Sequence, residues 1–243
     1  MEKRIKGKCK YCGKEYTLSY MKRHLSECKE RKARIAAEKG TRQCGYFELV
    51  IYPKYGKNYW LFIEVQETAA LMDIDSFLRD IWLECCGHLS AFEINGTRYE
   101  SMPMDDVFWG EPAKSMNYKL KNVLRKGMTI EYEYDFGSTT ELLIDVVDYR
   151  VGYSKKETLT ILSRNNPHVI MCDECGKKPA VAICTECVWD GNGFLCEECS
   201  KTHECGQEMQ LDVCNSPRMG VCGYCGSEIY PDQFVSDAEN ESK

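Results

Sequence analysis

The sequence predicts an α+β fold in which one central sheet wraps on one main helix, with a small cysteine-bearing module on either side. Three observations predict it. Stretches of strand character lie at residues 46–52, 58–66, 91–94, 129–135, 141–149 and 158–162. One stretch with helical spacing, Ile74, Phe77, Leu78, Ile81, Trp82 and Cys85, falls after the second strand, opened by Asp73 or Asp75 and closed by Gly87. The cysteines sit mostly outside this region: Cys9, Cys12 and Cys28 precede it, and ten of the 16 fall between residues 172 and 225. Strand, strand, helix and then several strands is the order expected of one sheet packed on one helix.

At the N-terminus, Cys9-x2-Cys12-x11-His24-x3-Cys28 has the shape of a small zinc finger. Two thiolates on a knuckle and a second pair on a helix are what a tetrahedral zinc shell takes. Gly13 suits the turn after the knuckle. His24 and Cys28, four apart, fall on one face of a helix starting at Thr17 or Ser19. Tyr16, Met21 and Leu25 would form a core too small to hold without metal. The pattern resembles fingers of Cys-Cys-His-His type with the last His replaced by Cys, and with eleven rather than twelve residues between the inner ligands. The same helix is expected to run on through Lys39 to a cap at Gly40. Lys22, Arg23, Lys29, Arg31, Lys32 and Arg34 would make it a cationic rod.

Charge supports that emphasis. Residues 1–42 carry 14 Lys/Arg against 5 Asp/Glu, a net +9, whereas the remainder carries 18 against 33, a net −15. A basic arm on an acidic body points to a polyanion, DNA or RNA, as partner. The alternative is that the arm docks on its own acidic body. No run of about 18 apolar residues suggests a membrane span, and the N-terminus lacks the apolar segment of a secretion signal. So many cysteines without export favour metal binding over disulfides, and a cytoplasmic location is expected.

The central region, residues 43–166, pairs its first two strands across a loop at residues 53–57. Within it, His88-Leu89-Ser90-Ala91-Phe92-Glu93-Ile94-Asn95-Gly96 and Tyr132-Glu133-Tyr134-Asp135-Phe136-Gly137 resemble the plasmid pRiA4b ORF-3-like family over roughly residues 44–165. The resemblance implies an α+β protein without an agreed biochemical role. Some members occur beside mobile elements, and some carry extra zinc modules. After Gly137 the family continues with acidic residues, a Trp and an acidic-His pair; here Ser138-Thr139-Thr140-Glu141-Leu142 keeps only Glu141. Asp135-Phe136-Gly137 also matches the kinase metal-binding tripeptide, but no glycine-rich loop, strand lysine or His-Arg-Asp motif accompanies it. A strand ending in a glycine turn explains it. Of the polar candidates for chemistry, His88, Glu93, Asp135, Glu141 and Asp145, none is framed by a catalytic motif, so a non-enzymatic protein is expected. His88 reads as a helix-end residue, Cys85 and Cys86 as core or near-core thiols. The Met- and Pro-bearing loop at residues 101–117, with Trp109, reads as a partner-binding loop or an irregular cover.

The C-terminal module, residues 167–230, opens after Asn166-Pro167. Its order is Cys172-x2-Cys175, eight residues, Cys184-x2-Cys187, eight residues, Cys196-x2-Cys199, then His203, Cys205, Cys214 and Cys222-x2-Cys225. Knuckles joined by loops this short interleave in a cross-brace. Cys172, Cys175, Cys196 and Cys199 would hold one ion; Cys184, Cys187 and His203 would begin the second, completed by Cys205, then Cys222, then Cys214 in order of preference. The order resembles the B-box zinc domain and implies a protein-interaction adaptor as the second functional reading. With the finger, about three Zn2+ are expected, in closed structural shells. Residues 231–243 read as an acidic disordered tail.

Overall fold

The computed structural model describes residues 5–103 and 112–240, so most of the Trp109 loop lies outside the described residues. The chain forms two compact units. The first takes the described residues up to Phe77, those of Leu89–Asn166, and residues 234–240; the second takes Leu78–His88 and Pro167–Gln233. The fold is α+β.

Unit one carries a ten-stranded sheet. In chain order its elements are β1 (Lys6–Cys9), β2 (Glu15–Thr17), α1 (Leu18–Glu27), α2 (Lys29–Ala36), β3 (Gln43–Pro53), β4 (Leu61–Gln66), α3 (Leu71–Leu78), β5 (Ser90–Ile94), β6 (Thr97–Glu100), β7 (Lys114–Ser115), α4 (Leu120–Val123), β8 (Thr129–Tyr134), β9 (Thr140–Tyr153) and β10 (Leu159–Asn165). The strand order is β2-β1-β10-β4-β3-β9-β8-β5-β6-β7, antiparallel apart from the short parallel pair of β6 and β7. The predicted β3–β4 hairpin forms, with Tyr46 opposite Gln66 and Ile51 opposite Leu61. β3 lies between β4 and β9 and is buried on both faces, which is why its alternation reads weakly in sequence.

The finger is not a separate domain. β1 pairs with β10, Gly7 facing Asn165 and Cys9 facing Ser163, so the knuckle begins on a strand of the central sheet. A Cβ at Gly7 would overlap the Arg164 carbonyl and the Trp60 ring, so only glycine permits this approach. Met21 and Leu25, one helical turn apart on α1, pack with Val50, Tyr52, Trp60, Phe62 and Leu162 of the sheet. The finger core is thus larger than Tyr16, Met21 and Leu25 alone, because it is continuous with the sheet core.

The long finger helix is also corrected. It breaks at Cys28, whose ψ of 117° is not helical, and restarts as α2, ending at Ala36 rather than running to Gly40. The break turns Arg31 inward. Its guanidinium is buried and contacts Glu48 at 2.6 Å and Glu64 at 3.3 Å. These two glutamates are direct cross-strand partners on β3 and β4, where like charges would repel. Arg31, together with Arg150 at 2.7 Å from Glu64, neutralises them. Arg150 also reaches Glu38 at 2.9 Å, tying the end of the finger segment to β9.

The tail is corrected as well. Residues 237–240 form a short helix introduced by the buried Ser236. Lys10 contacts Asp237 at 2.9 Å and Lys8 contacts Glu239 at 2.5 Å. Part of the basic arm does therefore dock on acidic groups of its own chain.

The Tyr-Asp-Phe-Gly turn closes β8 into β9. Asp135 holds a left-handed φ of 65°, and its Oδ1 accepts the Gly137 N–H at 3.0 Å. The side chain fixes a conformation that costs an ordinary residue about 1–2 kcal/mol. Asp135→Ala is expected to lower unfolding stability by about that amount while leaving the zinc content unchanged; equal stability in a chemical denaturation titration would refute this assignment.

Unit two holds a three-stranded sheet of β11 (Ala182–Cys184), β12 (Phe194–Leu195) and β13 (Gln210–Asp212), with β11 in the middle, and a helix α5 (Glu197–Thr202). A π-helical turn, Arg79–Leu83, also belongs to it. Its fully buried Trp82 donates its indole N–H to the Asn215 carbonyl at 3.1 Å, and Ser216 donates to the Trp82 carbonyl at 2.6 Å. The predicted central helix therefore divides: α3 as far as Phe77 stays with the sheet, and Leu78, Ile81 and Trp82 belong to the cysteine-rich unit. Among the described residues no helix is long and apolar enough to cross a membrane.

Candidate metal centres

In the finger, the turn after Cys12 brings Gly13 to φ 68° and its N–H back to the Cys9 carbonyl at 3.0 Å, which aims both thiols to one side. The helix α1 supplies His24, stacked on Tyr16 with ring centroids 4.3 Å apart. Cys28 follows at the helix break. The ligand atoms of Cys9, Cys12, His24 and Cys28 all lie within 4.8 Å of one another. Cys9 Sγ is 4.0 Å from Cys28 Sγ, and Cys12 Sγ is 3.3 Å from His24 Nε2.

These separations test whether zinc fits. A tetrahedron with Zn–S near 2.3 Å and Zn–N near 2.0–2.1 Å has edges of about 3.8 Å between sulfurs and about 3.5 Å from sulfur to nitrogen. A disulfide would need about 2.05 Å. The finger's distances match the edges of a metal tetrahedron and not a disulfide.

Unit two repeats the geometry twice. Cys172, Cys175, Cys196 and Cys199 converge in one cluster, and Cys184, Cys187, His203 and Cys205 in another, each with ligand atoms within 4.8 Å of one another. Cys175 Sγ and Cys196 Sγ are 3.9 Å apart; Cys187 Sγ is 3.6 Å from Cys205 Sγ and 3.4 Å from His203 Nε2. The interleaving follows from α5. Cys196 caps its start and Cys199 lies in its first turn, both facing the first cluster, while His203 at its C-terminal cap faces the second. Gly176, with φ 61°, closes the first knuckle by donating to the Cys172 carbonyl at 2.9 Å.

Electrostatics lowers one thiol in each cluster and raises another: the Cys196 thiol pushes Cys199 up in the first, and the Cys205 thiol pushes Cys187 up to about 12 in the second. Burial works against a thiolate at Cys172, but backbone N–H groups of Cys175 and Cys196 outweigh it and draw the thiol down to about 6. Cys184 is likewise drawn down to about 7 against its burial, by the N–H groups of Cys187 and Glu186. His203 donates from Nδ1 to Glu174 Oε1 at 2.7 Å. That bond fixes the tautomer that leaves Nε2 free for the ion, the usual outer support of a metal-bound histidine. The donor sets, all thiolate in the first cluster and three thiolates with one imidazole in the second, suit zinc.

Of the alternatives for completing the second shell, the structure brings Cys205 to it and places Cys222 and Cys214 elsewhere. Cys222 instead meets Cys85, Cys86 and His88 in a fourth cluster. The readings of Cys85 and Cys86 as core or near-core thiols, and of His88 as a helix-end residue, missed this. The signal available was weak: adjacent cysteines followed by Gly-His make no knuckle, and their partner lies 134 residues away from His88. The other polar candidates occupy ordinary positions. Glu141 pairs with Lys54 at 3.0 Å, and Asp145 accepts from Tyr52 at 3.0 Å and from Thr129 at 2.6 Å.

The basic residues of the rod separate into two groups. Lys22, Arg23, Lys29, Lys32 and Arg34 are exposed, whereas Arg31 is buried in its ion pairs and is withdrawn from the proposed contact surface. Arg23 lies over the ring of Tyr20, 5.2 Å from its centroid, and Tyr20 is itself 57% exposed.

A mixed sheet bearing a sheet-anchored finger of three cysteines and one histidine, with a cysteine-rich unit of interleaved clusters, defines the chain as an α+β protein whose Cys/His clusters could hold metal ions. The sequence model of the plasmid pRiA4b ORF-3-like protein family matches residues 54–179, more than half of the 243 residues, and the chain belongs to that family. The matched span begins at the end of β3 and takes in the first C-terminal knuckle, Cys172 and Cys175. Among solved structures, a crystal structure of a protein of unknown function from Methanosarcina mazei Go1 is similar, with 19% identity and a TM-score of 0.39 over 51% of this chain and 68% of that one. No curated protein matches the sequence.

Proposed function

We propose that this is a non-enzymatic zinc protein that binds nucleic acid through its N-terminal finger, with zinc in the finger shell and in the two interleaved C-terminal shells. The observation that carries the reading is the exposed set Lys22, Arg23, Lys29, Lys32 and Arg34 on two consecutive helices, beside the exposed Tyr20. Cations meet phosphates, and an exposed aromatic paired with arginine offers a stacking face to a base. Packing against the sheet gives these side chains a rigid support.

One finger spans about three base pairs, so the binding is expected to follow backbone and shape more than sequence. With about five phosphate contacts, the logarithm of affinity for duplex DNA should fall with the logarithm of salt at a slope of about −4 to −5. The full chain, titrated with random-sequence duplex DNA and with RNA over a salt series, tests this. Reversing Lys22, Arg23, Lys29, Lys32 and Arg34 to Glu together should abolish binding without changing the far-ultraviolet circular dichroism. Salt-independent retention, or retention by the folded five-site variant, would contradict the reading, and a co-purifying protein in place of nucleic acid would support an adaptor.

A further inference from the structure

From the convergence of Cys85, Cys86, His88 and Cys222 we infer a fourth zinc site, solvent-exposed and exchangeable, that clasps the 79–88 turn to the segment at residues 214–227. All four ligand atoms lie within 4.8 Å of one another. Cys86 Sγ is 3.8 Å from Cys222 Sγ, and Cys222 Sγ is 3.5 Å from His88 Nε2. These separations equal the tetrahedral edges expected around zinc, about 3.8 Å and about 3.5 Å. They are again far too long for a disulfide.

The backbone is shaped for this meeting. Residues that follow each other in an extended chain point to opposite sides, so neighbouring cysteines share one ion only where the chain turns. The π turn Arg79–Leu83 gives way to extended backbone at Glu84, and Gly87 turns the chain at φ 68°. On the other side, Cys222 holds φ 55°, a left-handed conformation costly for a residue with a side chain. Such strain persists where the surroundings over-determine it, and a ligand bond does so.

The surrounding contacts explain why the two segments are held in register. Tyr224 donates to the Ile81 carbonyl, Ser227 to the Asp80 carbonyl, and Arg218 lies 3.6 Å from Cys85 Sγ. With the Trp82 contacts to Asn215 and Ser216, they position a cluster that local sequence spacing could not assemble. Cys225, the second cysteine of that knuckle, is exposed and turned to the Gly223 carbonyl, outside the cluster.

Exposure sets this site apart. Each of the other three clusters has at least one fully buried cysteine, whereas Cys86 and Cys222 are both exposed and Cys85 and His88 half-buried. Water and chelators reach it first, so it should exchange before the others.

The test uses the zinc-loaded full chain and a pulse of iodoacetamide read by peptide mass spectrometry. Before chelation, Cys225 should be alkylated at once while Cys85, Cys86 and Cys222 are protected. A limiting amount of a soluble zinc chelator should remove one zinc first, and those three cysteines alone should gain reactivity, at least tenfold. Amide exchange should rise in the peptides covering residues 79–88 and 214–227 at the same step. A Cys86→Ser/Cys222→Ser variant should hold one zinc fewer and keep the Cys172 and Cys184 clusters protected. Alkylation of Cys86 and Cys222 as fast as Cys225 in the fully loaded wild-type protein would overturn the proposal, as would first release from another cluster. Neither result depends on the finger's binding partner, so the two readings fail separately.

Discussion

Cys172→Ser combined with Cys196→Ser is expected to unfold the cysteine-rich unit while the sheet of unit one stays folded. The reason lies in what unit two has to fold with. Its buried apolar side chains are few: Leu78, Ile81, Trp82, Leu83, Ala180, Ile183, Leu195 and Tyr224, besides its cysteines. Its own sheet has strands of two or three residues. A structural zinc contributes about 10–16 kcal/mol at neutral pH, comparable to or larger than the whole stability of an ordinary domain, about 5–15 kcal/mol. Removing one shell therefore leaves too little burial to order the backbone. Limited proteolysis should cut rapidly after Pro167 in the variant and leave the sheet of unit one intact. Because thiolate and neutral imidazole are the ligands, protons compete with the ion. Cys172, drawn to about 6, is mostly ionised at neutral pH, Cys184, drawn to about 7, is about half ionised, and both lose charge below it. Acidification through that window should release zinc and open unit two; unchanged protease resistance in the variant and at acid pH would count against the account.

The second large effect is expected at Arg31. Arg31→Ala leaves Glu48 and Glu64 facing each other inside the sheet, with Arg150 and, at 3.8 Å, Lys155 left to balance Glu64 and neither ion-paired with Glu48 among the described residues. Breaking a buried ion pair by removing one partner costs about 3–5 kcal/mol, because the remaining charge is stranded. Thermal or denaturant unfolding of unit one should show a loss of that size, whereas Arg34→Ala, at an exposed position of the same helix, should move it little. The pH dependence has a definite sign. Burial works against the Glu64 and Glu38 carboxylates, but Arg150 outweighs it and holds both below the usual range. Their contribution is present at neutral pH and is lost as pH falls through the carboxylate range. Burial pushes Glu48 the other way despite Arg31, so Glu48 partly offsets that loss. Equal stability of Arg31→Ala and Arg34→Ala would refute the inward placement of Arg31.

These two regions show why some features can be read from the chain and others cannot. The C-terminal knuckles are legible because eight-residue loops leave little choice of partner, and helical periodicity places Cys196, Cys199 and His203 at one end or the other of α5. The Tyr-Asp-Phe-Gly turn is legible because Asp and Gly are the residues such a turn requires. Arg31 reads as part of an exposed rod, although a signal against that exists. It sits on the stripe of Met21, Leu25, Cys28 and Ile35, and two carboxylates, Glu48 and Glu64, interrupt otherwise apolar strands. The attachment of β1 to β10 leaves no local trace, since strand partners about 155 residues apart carry no shared pattern. The exposed cluster is hidden for the same reason: its ligands come from a helix end and a distant turn, and neither half has metal-site spacing alone.

The measurement that bears most directly on the zinc account is native mass spectrometry of the full chain, purified without chelator under reducing conditions. Four zinc ions per chain are predicted, falling to three on mild chelation and to none in acid. A chain that flies with no zinc or with one, and is nonetheless folded, would contradict the reading of this protein as a metal-stapled structure.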